Sequence, residues 1–535
     1  MAGVTVENGH VTKIVCPEHK SNLVARIYAK GHIPSSIGEL IQLKSFILND
    51  LNLALLEPIP AEIGNLKHLE QLKIQACNIP GPIPVEIGNL THLKELVLYS
   101  EPAAIDKTGY HTDFNPFARV KIPDEIGQLT QLESLQVYWL LEGDITMEIQ
   151  NLKQLKRLEI IQPTHIIVSD YSVEEIPTIK IGSIPEVIIG MENLEELSLS
   201  GGFSGELPFS IGGLKKLIKL SITSDFLTGA LPESIGKLEK LQSLSINCKQ
   251  MNSKLPESIG KLSNLSSIWL SGSGFTGAIP ETLGNCEMLS SIDFSGCNFT
   301  SFPATLSFLL DDKENCCLNN DVGKFDISGN RMIGKIPAPI LNHPNFYLFA
   351  ANFLMMQQPG YGFELNDFKY PACIETYSDP FSNQSIDFAK EYAANKYTLI
   401  FRYNDHYNTE QSAQFAKVVN RLNEKYSAKG LKVICGLVNA GNKTNSQLKA
   451  YAKTLKTSDF PHFKDEMGMG YTPIPFFNDY IGCERTVPTL GLVDREGNYV
   501  IITGGSTTAI YDYNYSKDHI VTIEQFENMV NNLFK

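Results

Sequence analysis

The sequence predicts an α/β chain in which a long solenoid of short parallel strands precedes a smaller domain of alternating strands and helices. Two observations predict the solenoid: prolines recur about every 24 residues, and leucines follow each proline at fixed offsets. A third observation predicts the second domain. The repeat stops near residue 350, and the composition there shifts toward Tyr, Asn, Lys and Ala.

The repeating unit reads IPxxIGxLxxLxxLxL, and apolar residues follow each proline at offsets of 6, 9, 12 and 14. Leu244 and Ile246 take the last two offsets after Pro232. Because one residue separates them, they predict a strand in which both point inward and the side chain between them points outward. The unit's proline position is occupied by Pro34, Pro60, Pro84, Pro123, Thr146, Pro185, Pro208, Pro232, Pro256, Pro280, Pro303 and Pro337. Thr146 thus stands in place of proline in one unit.

One unit of this kind cannot bury its own leucines, so neighbouring units are expected to stack their strands into a parallel sheet. At least eleven strands are predicted to line a concave face, with Leu244 fully buried beneath it. The IPxxIG segments are predicted to form short turns on the convex side, because proline and glycine favour a tight return of the chain.

The segments FTGAIPETLG (275–284) and LTGALPESIG (227–236) resemble the plant-type leucine-rich repeat of receptor ectodomains and some bacterial surface proteins. This resemblance covers roughly residues 20–350 and implies a solenoid that binds other molecules. GVTVENGHVTKIV (3–15) resembles the last part of that family's N-terminal cap. We therefore expect the natural protein to extend upstream.

Three spacings between units are long, and their extra residues lie at about 100–118, 162–182 and 310–322. Insertions on one side of a solenoid often carry function. Simple tolerance of a longer loop explains them equally well. The sequence leaves these two explanations open.

We predict three segments: the solenoid with its cap remnant over 1–350, an end cap and linker over 351–380, and a second domain over 381–535. The second domain is predicted to begin with a strand, a helix and a second strand, and to end with a hairpin and a helix. This order favours a mixed sheet with helices on its faces.

The segment TVPTLGLVDREGNYV (486–500) resembles the thioredoxin-like superfamily, in particular its TlpA-like and alkyl-hydroperoxide-reductase-like branch. The resemblance implies a cis peptide bond at Val487–Pro488. The CxxC motif of that family is absent. His406 and Thr409 stand near the positions where its two cysteines are expected. Cys435 lies in an apolar strand and is expected in the core, and Cys483 is a lone thiol without a resolving partner.

The formal charge of −14 and the absence of a Lys or Arg run argue against nucleic acid and anionic membrane as main partners. No apolar stretch is long enough to span a bilayer, and the N-terminus lacks the features of a secretory signal. The GxGxxG match at 272–277 falls on turn positions of the repeat, so it predicts no dinucleotide site. We expect no cofactor, no metal and no catalytic constellation.

The outward positions of the concave strands predict where a ligand binds. Tyr99, Tyr138 and Ile161 are expected side by side on successive strands about 5 Å apart, which is typical of a binding hot spot. The alternative is that the neighbouring inserts fold back and bury this patch. The candidate ligand-binding residues are Val97, Tyr99, Gln136, Tyr138, Trp139, Glu159, Ile161 and Trp269.

Two functions follow from these expectations. The first is a non-enzymatic, extracytoplasmic recognition protein that binds a protein or glycan on its concave face and carries a redox-inert thioredoxin-like domain. The second is a thiol-disulfide oxidoreductase or peroxidase that the repeats recruit to a partner. The missing thiol pair argues against the second function. The oligomeric state and the identity of the ligand stay open.

Overall fold

A computed structural model describes most of the chain. Its contacts divide the chain into two compact units, Met1–Leu306 and Ser307–Lys535. This division falls inside the predicted repeat region, so the segment limits at 350 and 380 stay predictions. The described residues are 3–16, 29–55, 57–100, 119–163, 165–169, 172–175, 180–311, 325–345, 370–371, 376–403, 409–438, 444–465, 489–504 and 523–534.

Short strands at the repeat period dominate the first unit. Its described strands are β1 (Gly3–Glu7), β2 (His10–Cys16), β3 (Ala29–Gly31), β4 (Ser45–Leu55), β5 (Gln71–Asn78), β6 (Glu95–Ser100), β7 (Ser134–Tyr138), β8 (Arg157–Ile161), β9 (His165–Ser169), β10 (Ser172–Glu175), β11 (Glu196–Ser200), β12 (Ser204–Glu206), β13 (Lys219–Thr223), β14 (Phe226–Thr228), β15 (Ser243–Asn247), β16 (Ser267–Trp269), β17 (Thr276–Ala278), β18 (Ser291–Asp293) and β19 (Asn298–Ser301).

One long sheet runs through this unit. Among its described residues the order is β1-β2-β4-β5-β6-β7-β8-β11-β13-β15-β16-β18, and β3 pairs with β4. From β2 onward these strands are parallel, whereas β1 pairs antiparallel with β2. The stacked parallel sheet predicted from the repeat is confirmed. Residues 3–15, which the resemblance implies are a cap remnant, lie in the β1–β2 hairpin at the first edge of the sheet.

Most described repeats cross the convex side through a five-residue 3-10 helix that begins directly after the unit's proline position. Pro232 is extended, with φ −64° and ψ 143°, and the amide of Leu238 closes the turn by donating to the Ile235 carbonyl. The described helices of this kind are Ser35–Glu39, Ala61–Asn65, Val85–Asn89, Asp124–Gln128, Met147–Asn151, Glu186–Gly190, Phe209–Gly213, Glu233–Lys237, Glu257–Lys261 and Glu281–Asn285; a seven-residue one spans Ala304–Leu310.

The glycine of the IPxxIG segment is required by the close approach of successive turns. A Cβ atom at Gly236 would lie 2.4 Å from the Ser258 carbonyl oxygen, and one at Gly64 would lie 2.5 Å from the Glu86 carbonyl oxygen. Real Cβ atoms do not approach backbone so closely, so a larger residue would force the turns apart. The repeat glycine therefore sets the spacing of the convex side.

Short polar side chains complete the hydrogen bonding behind the strands. The Ser273 hydroxyl donates to the Ile246 carbonyl over 2.7 Å and accepts from the Cys248 amide over 3.0 Å. The Cys297 thiol donates to the Leu270 carbonyl. Burial raises the pKa of both Cys248 and Cys297 to about 12, so both thiols stay protonated at neutral pH. Both cysteines are buried core residues.

The second unit holds a separate mixed sheet. Among its described residues the order is β21-β28-β27-β24-β25-β26, in which β24, β25 and β26 are parallel and the other pairs antiparallel. The strands of this sheet are β21 (Tyr370–Pro371), β24 (Tyr397–Tyr403), β25 (Leu431–Val438), β26 (His462–Asp465), β27 (Thr489–Val493) and β28 (Asn498–Gly504). Outside it, β22 (Thr376–Ser378) pairs antiparallel with β23 (Ser385–Asp387), and β20 spans Phe325–Asp326.

Helices pack against this sheet on the apolar residues that the sequence places at helical spacing. Leu422 and Phe526 join Phe401 and Val433 in one buried cluster. The α-helices of the second unit are α1 (Ala338–Leu341), α2 (Phe388–Ala394), α3 (Thr409–Tyr426), α4 (Asn445–Thr454) and α5 (Ile523–Leu533), of which α3, α4 and α5 contribute to this cluster. Within the described residues, none of the helices is long and apolar enough to cross a lipid bilayer.

We expect Leu244→Ala to lower the free energy of unfolding of the solenoid by about 2 to 5 kcal/mol, because Leu244 is 0% exposed and its loss leaves a cavity. Both tryptophans of the chain, Trp139 and Trp269, lie in the first unit, so their fluorescence follows that unit during denaturation. Circular dichroism at 222 nm follows the helices of the second unit.

The half-buried Ser245 lies beside Leu244 and supplies the control, since Ser245→Ala should change the free energy by no more than about 0.5 kcal/mol. Unchanged fluorescence and dichroism midpoints in Leu244→Ala would contradict the expected role of this leucine.

Candidate functional site

The strand register brings the predicted aromatic residues together on the concave face. Tyr99 is the register partner of Tyr138, and Tyr138 is the partner of Ile161 on the next strand. The two tyrosine rings stack with centroids 4.2 Å apart and planes 8° from parallel. We call Tyr99, Tyr138 and Ile161 the tyrosine patch. All three are half-buried, so each still presents part of its side chain to the surroundings.

Two predicted site residues, Val97 and Trp139, are buried instead of exposed on the concave face. Val97 is only 6% exposed, and its register partners on the flanking strands are Lys73 and Gln136. Trp139 is only 3% exposed. It follows the outward-facing Tyr138 by one residue, and side chains of an extended chain alternate between faces. The expectation that Val97 and Trp139 extend the exposed patch is therefore wrong.

The remaining predicted residues lie on the outward face. Gln136 and Glu159 are half-buried register partners in the column next to the tyrosine patch. Gln136 donates to the Ser134 hydroxyl over 3.1 Å. Trp269 is 39% exposed, and it lies apart from the patch on β16. The concave face thus carries an aromatic patch near one end and a separate indole toward the other.

A polar network that the sequence did not predict lies beside the patch. Glu95 accepts from Lys73 over 2.6 Å and from Gln71 over 2.6 Å. Further along the sheet, Arg157 pairs with Glu196 over 2.7 Å. A signal for both groups exists in the sequence, since Gln71, Glu95, Arg157 and Glu196 all stand eleven residues after the proline position.

The Glu95 carboxylate is held in its charged form by this network. Partial burial raises the pKa of Glu95, but the hydrogen bonds from Lys73 and Gln71 and the Lys73 charge together lower that pKa below its ordinary value. The positions one residue earlier in each repeat carry two exposed ion pairs of the same kind. These pairs are Lys94 with Glu70 and Lys156 with Glu133. Exposed pairs like these contribute little to stability because water screens them.

The inserts beside the patch are only partly described. The insert at 100–118 lies outside the described residues beyond Ser100. Part of the insert at 162–182 forms the antiparallel hairpin of β9 and β10. Whether the inserts wall the patch or cover it stays a prediction.

The second unit presents a buried thiol and a buried histidine. Cys435 is 0% exposed, and desolvation raises the pKa of its thiol well above the ordinary value. His462 is also 0% exposed, and burial lowers its pKa to about 4, so the ring is neutral at pH 7. Its Nε2 atom lies 2.8 Å from the Tyr403 hydroxyl, and its Nδ1 atom lies 2.8 Å from the Phe460 carbonyl. Both ring nitrogens are thus satisfied, and the histidine is structural.

The motif positions of this unit are only partly described. Within the described residues, helix α3 begins at Thr409, near the expected second cysteine position. His406, Cys483 and the Val487–Pro488 bond lie outside the described residues. Across the described ranges, no group of three or more His, Cys, Asp or Glu residues could hold a metal ion.

We expect Glu95→Gln to reduce stability by about 1 kcal/mol at pH 7, because the variant loses a charge held by Lys73. The folded-state pKa of Glu95 lies below its ordinary value, so its contribution is present above the unfolded-state pKa. That contribution is lost as the pH falls through the folded-state pKa.

Chemical denaturation of wild type and Glu95→Gln between pH 7 and pH 3 measures this difference, which should shrink on acidification. The exposed Glu142 supplies a control, since Glu142→Gln should show no such difference at any pH. A difference in the free energy of unfolding between wild type and Glu95→Gln that grows on acidification would contradict the lowered pKa of Glu95.

Comparisons with known proteins agree with the repeat. Residues 28–169 match the family described as leucine-rich repeat region, and residues 264–286 match the family described as Leucine Rich Repeat. Among curated proteins, no sequence matches this chain.

Several solved structures are similar to the chain. The plant peptide hormone receptor RGFR1 in complex with RGF2 is 23% identical over 64% of this chain and 59% of the receptor, with a TM-score of 0.38. The Arabidopsis receptor kinase HAESA ectodomain with its IDA peptide hormone ligand is 22% identical over 59% of this chain and 51% of that chain, with a TM-score of 0.41.

A bacterial structure shows the same level of similarity. A leucine-rich repeat protein of Leptospira interrogans is 25% identical over 52% of this chain and 67% of that chain, with a TM-score of 0.35. The chain spans between half and three fifths of the two plant ectodomains. From the proline-anchored turns, the parallel strand register and the two matched segments, the repeat-bearing part of this chain is a leucine-rich repeat solenoid.

Proposed function

We propose that this protein is a non-enzymatic recognition protein that acts outside the cytoplasm and binds a polypeptide on its concave face. The single observation that carries the proposal is the stacked pair of Tyr99 and Tyr138 on adjacent strands of that face. Stacking holds both rings in one orientation, so little conformational entropy remains to be lost on binding. Tyrosine also offers apolar area and a hydroxyl together, which suits a polypeptide surface.

The neighbours of the patch favour a polypeptide over a glycan. Ile161 extends the apolar area on one side of the ring pair, and Gln75 is the register partner of Tyr99 on the other side. Gln136 and Glu159 in the next column offer amide and carboxylate groups that can pair with a peptide backbone. An apolar centre with polar groups at its margin is the usual anatomy of a protein interface.

The second unit is proposed to be a redox-inert thioredoxin-like domain. Its strand order, in which β24 lies between the parallel β25 and the antiparallel β27, supports this proposal. The protonated, buried thiol of Cys435 also supports it, because the thiolate is the form that attacks a disulfide. In this proposal the domain serves as a structural or interaction unit.

We expect the double variant Tyr99→Ala with Tyr138→Ala to weaken binding by about 2 kcal/mol or more, because the ring pair is the hot spot. Peptides selected from a random 12-residue display library on the immobilised wild-type protein serve as ligands, and a glycan array runs in parallel. Calorimetric titration gives the affinities, and thermal denaturation should show only a small loss of stability.

The matched control is Ser221→Ala with Thr223→Ala, which shortens two outward residues of β13 elsewhere on the same face. Selection of glycans alone would overturn the choice of a polypeptide ligand. A large loss of stability in the tyrosine variant with unaltered affinity would show that the patch is a buried structural cluster.

We expect the whole chain neither to reduce insulin nor to turn over hydrogen peroxide, since His406 and Thr409 stand near the positions where the family has its CxxC cysteines. Insulin turbidity and a peroxide consumption assay measure the two activities, and Cys483→Ser should behave as wild type in both. Thiol-dependent turnover that Cys483→Ser abolishes would establish the oxidoreductase function in place of the recognition function.

A further inference from the structure

A second aromatic group stands on the concave face, far from the tyrosine patch along the sheet. Trp269 is 39% exposed at the end of β16, and its register partners are Ser245 on β15 and Asp293 on β18. The surrounding outward positions are small or polar, so no long side chain stands next to the indole. They are Ser243, Ser245, Asn247, Ser267, Ser271, Ser291 and Ser295.

Hydrogen bonds hold both the indole and the neighbouring carboxylate in place. The Trp269 Nε1–H donates to the Ser291 hydroxyl over 3.3 Å. One carboxylate oxygen of Asp293 accepts from the Ser295 amide over 3.0 Å and from the Ser295 hydroxyl over 2.6 Å. Within the described residues, the other carboxylate oxygen makes no hydrogen bond. An oriented carboxylate oxygen therefore lies next to an exposed aromatic ring.

The charge of this surface is complementary to a cation. The described strands β15, β16 and β18 carry no Lys or Arg, so no side chain of these strands neutralises Asp293. The face of an indole ring attracts cations through its quadrupole, and tryptophan is the strongest side chain in this respect. A planar guanidinium can stack on the ring while donating to the adjacent carboxylate.

We propose that Trp269 and Asp293 form a subsite for an arginine or lysine side chain of the polypeptide ligand. This inference rests on the proposed function, because it assigns a basic residue to the ligand of the same concave face. Five strand steps separate β16 from β7, which carries Tyr138. At about 4.8 Å per step, the two groups lie roughly 24 Å apart, the length of about seven extended residues. A single extended segment can contact both.

The first experiment measures the local charge around Trp269. Quenching of tryptophan fluorescence by caesium and by iodide is compared at equal ionic strength, with Trp269→Phe subtracted to remove the signal of the buried Trp139. Relative to N-acetyltryptophanamide, Trp269 should be quenched more by caesium than by iodide. Asp293→Asn should abolish this preference, because Asn keeps an oxygen for Ser295 and removes only the charge. Preference for iodide would overturn the proposal.

The second experiment measures binding with defined probes at low salt. Tetra-arginine is titrated against the full chain by calorimetry, with tetra-citrulline as its uncharged counterpart and maltohexaose as a saccharide probe. Tetra-arginine binding should weaken about tenfold in Trp269→Ala and in Asp293→Asn, and less in Trp269→Phe. Phe209→Ala, at an aromatic residue that is 75% exposed on a convex turn, supplies the matched control and should bind as wild type.

Equal affinity for tetra-arginine and tetra-citrulline would overturn the cationic subsite, as would tetra-arginine binding that Trp269→Ala leaves unchanged. Maltohexaose binding that depends on Trp269, without tetra-arginine binding, would overturn it in favour of a saccharide site. Failure here is distinguishable from failure of the proposed function. Display-selected peptides that depend on Tyr99 and Tyr138 but not on Trp269 would preserve the recognition function and remove only this subsite.

Discussion

The close stacking of one repeat on the next is the constraint on which the first unit depends. On the concave side, parallel strands fix the separation of neighbouring repeats at the hydrogen-bond distance of about 4.8 Å. On the convex side, the 3-10 turns come so close that a Cβ at Gly236 would overlap the Ser258 carbonyl. Between these two sides the leucines have no exposure, as Leu238, Leu241 and Leu244 illustrate. The core, the turns and the sheet are thus set by one repeated contact.

The same contact decides what the concave face can display. A strict strand register places equivalent positions of successive repeats next to each other, so side chains at one offset become a continuous column. Tyr99 and Tyr138 meet in this way and stack, although 39 residues separate them along the sequence. Glu95 with its partners, and Arg157 with Glu196, arise from the column four residues earlier on each strand. A ligand therefore meets chemically distinct patches along one rigid surface.

Function in this chain is proposed to lie in side chains that the core does not need. The tyrosine patch and Trp269 both occupy outward positions, where the repeat imposes no residue type. Most outward positions between them are Ser, Thr or Asn, and these small side chains leave the face open. The second unit builds its own core around Phe401, Leu422 and Phe526, and the titratable groups buried in it are satisfied or protonated.

The sequence by itself determined the repeat, its strand and turn positions, the burial of Leu244 and the alignment of Tyr99, Tyr138 and Ile161. Periodicity suffices for these features because each repeat makes the same contact with its neighbour. The burial of Trp139 agrees with strand alternation one residue after Tyr138. Only the tertiary structure decided that Val97 is nearly buried at an outward position of β6, because its exposure depends on how the surrounding side chains pack. Likewise, the pairing of Asp293 with Ser295 beside Trp269 depends on side-chain geometry, which a one-dimensional pattern does not contain.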